Sequence, residues 1–270
     1  MGAVTGISWC HHTLNPWIGC ARVSPACENC YAETLNNRHG WADWGVHGTR
    51  HLTSLANMRL PLRWNKMASE AGERRRVFCA SLADIFENRD ELKPRRAEVY
   101  DLTLATPDLD YLLLTKRIDH ADRLWSIAAD SRDVVWRSNH WLGTTVEDRK
   151  FGFPRIDVLR NIPAQTRFLS CEPLLEDLGD LDLTGIHWVI VGGESGGNPR
   201  PFNLAWARRL RDQCAEKGVA YFAKQLGANP VDGATKWRLD FDKKHGADLR
   251  DFTNELRVRE FPTTKSQATR

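Results

Sequence analysis

The chain has 270 residues, with 38 Lys+Arg against 35 Asp+Glu for a formal charge of +3, and 41% of it is hydrophobic. Those values exclude a disordered, fibrous or mini-protein chain and leave enough sequence for one large α/β unit or two small domains. No stretch approaches the roughly eighteen consecutive apolar residues of a membrane span, and residues 1–10 lack the charged start and apolar run of a secretion signal. The expected location is therefore the cytoplasm, with no membrane partner. Disulfides are rare in that reducing compartment, and seven cysteines, an odd number, cannot all pair.

In chain order, residues 5–9 read as a first short strand. Residues 15–33 (NPWIGCARVSPACENCYAE) follow, with six residues between Cys20 and Cys27 and two between Cys27 and Cys30. A Cys-x-x-Cys pair lets two thiolates reach one metal from a single tight turn, and a loop containing Ser24 and Pro25 brings the third round. Structural zinc would need a fourth ligand, for which Cys10, His11, His12 and His39 are candidates. A four-iron cluster needs only three thiolates when its fourth iron is left to a small molecule. A thioredoxin-type redox pair and a set of small buried cysteines are the other readings. Spacing alone does not separate zinc from iron.

Apolar runs then recur at residues 76–81, 110–115, 140–145, 167–171, 187–191 and 219–223, with helical patterns at 95–105, 120–129, 154–160 and 204–217. The last helix carries its own punctuation, Asn203 as N-cap and Gly218 as stop. Strands alternating with helices predict an α/β fold with a parallel sheet. A partial or full parallel β/α (TIM-like) barrel of about six or seven strands comes first, and a doubly wound open sheet second. Residues 1–227 are expected to form the barrel, and 228–270 a polar C-terminal extension packed on it, with a hairpin or lid at 240–262.

Charged residues stand just past each run: Asp84, Lys116 with Arg117, Glu147, Glu172, Glu194, and Lys224 with Gln225. In a parallel barrel such positions meet at one rim, where catalytic and substrate-binding groups gather; the plainer reading is that strands simply end at a charged surface. Gly192-Gly193-Glu194-Ser195-Gly196-Gly197 allows close backbone approach of a ligand, with Glu194 as acceptor, but lacks the endings of the phosphate and dinucleotide loops. Arg117, Arg149, Arg155, Arg200, Arg208, Arg209 and Arg211 are candidate phosphate contacts, the last three also reading as one solvated helix face. The eleven tryptophans, Trp9, Trp17, Trp41 and Trp44 among them, suit base stacking, a dry shell or a core.

Taken together, NPWIGCARVSPACENCYAE, VFCASLADIF, YLLLTKR, WLGTTVEDRK, RFLSCEPLL, WVIVGGESG and YFAKQLG resemble a phage-associated bacterial family with a three-cysteine motif. That family looks like a divergent branch of the radical S-adenosylmethionine enzymes, near the spore photoproduct lyase group. The resemblance covers roughly residues 5–227. It implies a 4Fe-4S cluster on Cys20, Cys27 and Cys30, S-adenosylmethionine on the remaining iron, and one-electron cleavage giving a 5′-deoxyadenosyl radical. It further implies a nucleic-acid or nucleotide substrate, in DNA modification or repair, and an electron donor such as flavodoxin or ferredoxin.

The chain departs from the usual radical-enzyme pattern in several places. Six residues rather than three separate the first two cysteines, and Asn29 stands where an aromatic precedes the third, with Tyr31 after it. The Gly192-Gly193-Glu194 triplet comes late, and Ser81 and Asp84 occupy the place expected for the methionine amino group. Tyr31, Ser81, Asp84, Gly192, Gly193 and Glu194 are thus the expected cofactor contacts, and the strand-end residues Lys116, Arg117, Glu147, Glu172 and Lys224 the expected catalytic or substrate residues. A zinc-stabilised nucleic-acid-binding or interaction protein without catalysis is the alternative from another class.

Overall fold

The structure, a computed structural model, describes residues 5–130, 135–240 and 245–263. Its main sheet contains β1 (His12–Leu14), β2 (Arg75–Cys79), β3 (Leu109–Thr115), β4 (His140–Thr145), β5 (Thr166–Cys171), β6 (Trp188–Gly192) and β7 (Ala220–Gln225). Within the sheet the strands succeed one another in chain order. A doubly wound sheet would reverse that order at a switch point. The unbroken parallel succession, with helices in the crossovers, is that of a partial parallel β/α barrel. Strands such as β6, buried at every position, are nearly continuous apolar runs because a parallel sheet is covered on both faces.

The longer helices are α1 (Tyr31–His39), α2 (Leu60–Ala71), α3 (Lys93–Ala105), α4 (Ile118–Ala129), α5 (Arg149–Asn161) and α6 (Leu204–Lys217). The last four are the expected ones, α5 beginning five residues before Pro154, which lies inside it. The first strand is a correction. Residues 5–9 form a turn, in which the Thr5 hydroxyl accepts from the Ile7 N–H at 3.2 Å and Cys10 N donates to Ile7 O at 3.3 Å. A side chain that hydrogen-bonds its own backbone competes with a strand ladder. Pairing with β2 begins only at His12, opposite Val77.

Contacts divide the chain into two compact units: Met1–Val23, Ala32–Gly143 and Asn161–Gln165 in the first, Ser24–Tyr31, Thr144–Arg160 and Thr166–Arg270 in the second. The first has a core of Trp17, Phe86, Tyr100, Tyr111 and Trp125, and the second one of Phe168, Trp188, Tyr221 and Phe222. The 228–270 segment belongs to the second unit; of the expected 240–262 hairpin or lid, residues 241–244 lie outside the described residues. Farther along, the chain straps the free edge of β7. Ala223 N donates to Val258 O at 2.8 Å, Glu260 N to Tyr221 O at 2.9 Å, and the Trp188 indole N–H to Glu260 O at 2.9 Å. Among the described residues no helix is long and apolar enough to cross a membrane.

Candidate functional site

In the first unit the chain passing Cys20 is held from several sides. Asn15, 1% exposed, accepts the Leu82 N–H on its side-chain oxygen at 2.7 Å and donates to the Ser81 hydroxyl at 3.0 Å. Its carbonyl takes the Thr53 hydroxyl at 2.7 Å and the Asn57 amide at 3.0 Å. Gly19 N donates to Leu82 O at 3.1 Å, so Cys20 starts from a fixed point beside the turn that follows β2. Ser81 is therefore part of this staple.

That turn carries Asp84, whose buried carboxylate is filled by four donors. One oxygen accepts Phe86 N at 3.0 Å and the Thr115 hydroxyl at 2.7 Å; the other accepts Lys116 N at 3.2 Å and Arg117 Nη1 at 2.9 Å. Arg117 continues to Ala21 O at 2.8 Å and to the Cys20 sulfur at 3.5 Å. One guanidinium thus links the ends of β2 and β3 to the first motif cysteine. Cys20 keeps some exposed surface, but its sulfur is desolvated, which pushes the thiol up to about 12 against the opposing pull of Arg117. Arg117 itself is held above the usual arginine range: desolvation opposes that rise, and the charges of Asp84, Cys20 and Glu87 outweigh it. Behind this pair, Glu87 takes Arg50 at 2.6 and 2.8 Å. Arg96, 1% exposed, fixes the backbone with bonds to Ile85 O and Glu87 O at 2.7 and 2.6 Å.

Of the candidate fourth ligands, Cys10 and His11 stand at the other end of β2 from Cys20. Cys10 is buried, and the next residue pairs with Arg76, His11 N donating to Arg76 O and His11 Nδ1 accepting Arg76 N, both at 2.9 Å. That is the starting end of β2, whereas Cys20 stands past its finishing end; the strand between adds about 10 Å at about 3.3 Å per residue. His12 is buried with its ring stacked 4.4 Å from that of Trp64. Trp9 and Trp17 are core residues, and Trp41 stacks on His39 at 4.5 Å.

In the second unit Cys27 ends a short 3-10 turn, Pro25–Cys27, and Cys30 follows the intervening Glu28 and Asn29. Tyr31 is 46% exposed. The Gly192–Gly197 loop comes to the cysteine-bearing segment. Glu194, 7% exposed, accepts Asn29 Nδ2 at 2.9 Å, Arg200 N at 2.7 Å and Arg200 Nε at 3.1 Å, and pairs with Arg200 Nη2. Those bonds, outweighing its desolvation, hold the Glu194 carboxyl below the usual range. Gly193 is glycine for a packing reason: a Cβ there would stand 2.5 Å from Leu226 O and 2.8 Å from Phe202 Cβ.

The remaining strand-end charges of this unit are paired. Glu147 is fully buried and takes Arg155 Nη1 at 2.6 Å on one oxygen; its other oxygen has no partner among the described residues. Glu172 pairs with Lys224. Gly192 stands against them, a Cβ there lying 3.5 Å from the Glu172 carboxyl carbon and 3.2 Å from Gln225 Cγ. Arg208 binds Asp232 and Glu255, Arg209 binds Asp177 and Asp180, and Arg211 binds Asp212, which makes that helix face a row of surface ion pairs.

The structure therefore gathers Cys20, Ser81, Asp84 and Arg117 in one unit, with Lys116 tied in through its backbone. In the other it gathers Cys27 and Cys30 with Glu194, and Glu172 with Lys224. None of the seven cysteines is in a disulfide, and the described residues contain no group of three or more His, Cys, Asp or Glu placed to hold a metal. Sequence reasoning misses Asn15, Glu87 and Arg96, which act through buried bonds that no spacing announces. It names Arg200 only as a phosphate contact, although its position six residues past Glu194 was the available signal.

Residues 4–257 match the model of a family described as a protein of unknown function, DUF5131. No curated protein and no solved structure matches the chain.

Proposed function

The chain belongs to this family, and we propose that it is an iron–sulfur enzyme of the radical S-adenosylmethionine type that acts on a nucleic acid or nucleotide. The observation that carries the reading is the partition of the cysteines: Cys20, Cys27 and Cys30 are partly exposed, while Cys10, Cys79, Cys171 and Cys214 are buried. None of the three motif thiols is tied up in a disulfide, and three thiolates are the donor set of such a cluster. The substrate class rests on the phage association of the resembled family and on the chain's aromatic and basic residues.

When bound, a 4Fe-4S cluster with S-adenosylmethionine would supply one-electron cleavage of the sulfonium and hydrogen abstraction. Cys20, Cys27 and Cys30 would hold it. In this reading Arg117 stabilises negative charge on the Cys20 sulfur, which a thiolate ligand must carry. Asp84, with all its acceptor sites filled from within the unit, orients Arg117 rather than a cofactor. The partly exposed Glu172–Lys224 pair is the substrate-facing charge of the second unit. A small protein such as flavodoxin or ferredoxin would deliver the electron.

Incubating the reduced, iron-loaded protein with S-adenosylmethionine and analysing the products tests the proposal. Release of 5′-deoxyadenosine, lost in Cys30→Ala, is expected. A loaded cluster that yields none would exclude this chemistry.

A further inference from the structure

We propose that Glu194 and Arg200 are positioning residues that hold the Cys27–Cys30 segment in its ligand-binding conformation, and that Glu194 does not receive a ligand's ammonium group. The proposal rests on the reading that Cys27 and Cys30 bind metal.

A carboxylate offers about four lone-pair sites. On Glu194 four donors occupy them: Arg200 N at 2.7 Å, Arg200 Nε at 3.1 Å, Arg200 Nη2, and Asn29 Nδ2 at 2.9 Å. No acceptor remains for an incoming ammonium group. The guanidinium reaches on past the carboxylate, with Nη2 donating to Pro25 O at 2.9 Å and Nη1 to Glu28 at 3.0 Å. Asn29 Nδ2 also donates to Asn198 O at 3.2 Å, and a Cβ on Gly196 would stand 3.6 Å from Asn29 O.

The points of attachment are the informative part. Pro25 lies two residues before Cys27, and Glu28 and Asn29 are the two residues between the cysteines. The clamp grips the backbone and side chains around both cysteines and leaves the two cysteines themselves partly exposed. Its other end is rooted in the sheet: Gln225 Nε2 donates to Gly193 O at 2.7 Å, and Gly193 lies so close to Leu226 and Phe202 that no Cβ would fit. From Ser24 to Cys30 the loop buries only Ala26, so without such a clamp much of its order would have to be supplied by the metal, weakening binding. A buried carboxylate is tolerated here because a forked guanidinium matches it.

The test uses the full chain and two probes that do not need the loaded enzyme. In metal-free protein, alkylation of each cysteine is followed by peptide mass spectrometry in wild type, Glu194→Ala, Glu194→Gln and Arg200→Lys. Cys27 and Cys30 are expected to react several-fold faster in all three variants while Cys20 keeps its rate. Arg200→Lys keeps the charge and loses the fork, so it answers the question even if Glu194→Ala fails to fold. Titration with cobalt(II), followed by thiolate-to-metal absorbance, should show weaker binding in the same variants by about tenfold. Unchanged Cys27 and Cys30 rates, or an equal rise at Cys20, would overturn the proposal. If wild type takes up neither cobalt nor iron while Cys27 and Cys30 still speed up, the positioning role stands and the metal reading falls.

Discussion

Glu147 shows how much a single strand-end residue depends on its partner. Its carboxylate is wholly inside the protein, and among the described residues Arg155 alone gives it a charge-matched bond, with a second bond from the same nitrogen to Thr145 O at 3.0 Å. Arg155→Ala removes the partner and strands a buried charge, for which about 3 to 5 kcal/mol of stability should be lost. Glu147→Gln keeps the shape without the charge and should cost less. Urea unfolding of the two variants compares them, and equal small losses would mean that water already serves Glu147. At this scale the charged strand ends were legible, since Asp84, Arg117 and Glu194 all announce themselves just past an apolar run. Their partners were not. Nothing in the spacing says that Glu194 meets Asn29, which lies 165 residues away; only the folded chain brings them together.

Helices and strands were legible where local chemistry and packing agree. For α6, Asn203 caps the start by accepting Ala205 N at 3.0 Å, and Gly218 ends it with φ +65°, its N–H bonded to Ala215 O and Cys214 O. Both features stand in the sequence beside an apolar stripe of Leu204, Ala207, Leu210 and Cys214, all buried. Gly218→Ala places a Cβ in the left-handed region and should lower stability by about 1 kcal/mol, read as a drop in melting temperature without change of helix content. The helix α1 was not legible because its sequence, YAETLNNRH, buries only Ala32 and Asn36 and offers no stripe. Residues 5–9 failed in the opposite way: an apolar composition suggested a strand, but Thr5 bonds its own neighbour's backbone and the chain turns.

For the molecule as a whole, the strand order was legible from the alternation of strands and helices, because sequential parallel pairing with short crossovers leaves few topologies. The division into two units was not, since each unit is assembled from stretches far apart in the sequence. Within the second unit the strap after residue 248 covers the outer edge of β7 and buries Phe252 and Leu256. Removing residues 249–270 would bare that edge, an unpaired row that recruits other chains. The shortened protein should melt at lower temperature and scatter light on warming; a monomeric product as stable as the full chain would show the strap to be dispensable.

The account turns on the three partly exposed cysteines, and the most direct measurement is the iron and zinc content of protein purified and reconstituted without oxygen. Wild type should be brown, absorb near ~400 nm and hold about four irons per chain. Cys27→Ala should lose that iron, whereas Cys79→Ala and Cys214→Ala should keep it. A colourless wild type carrying one zinc, or equal loss of iron from all three variants, would contradict it.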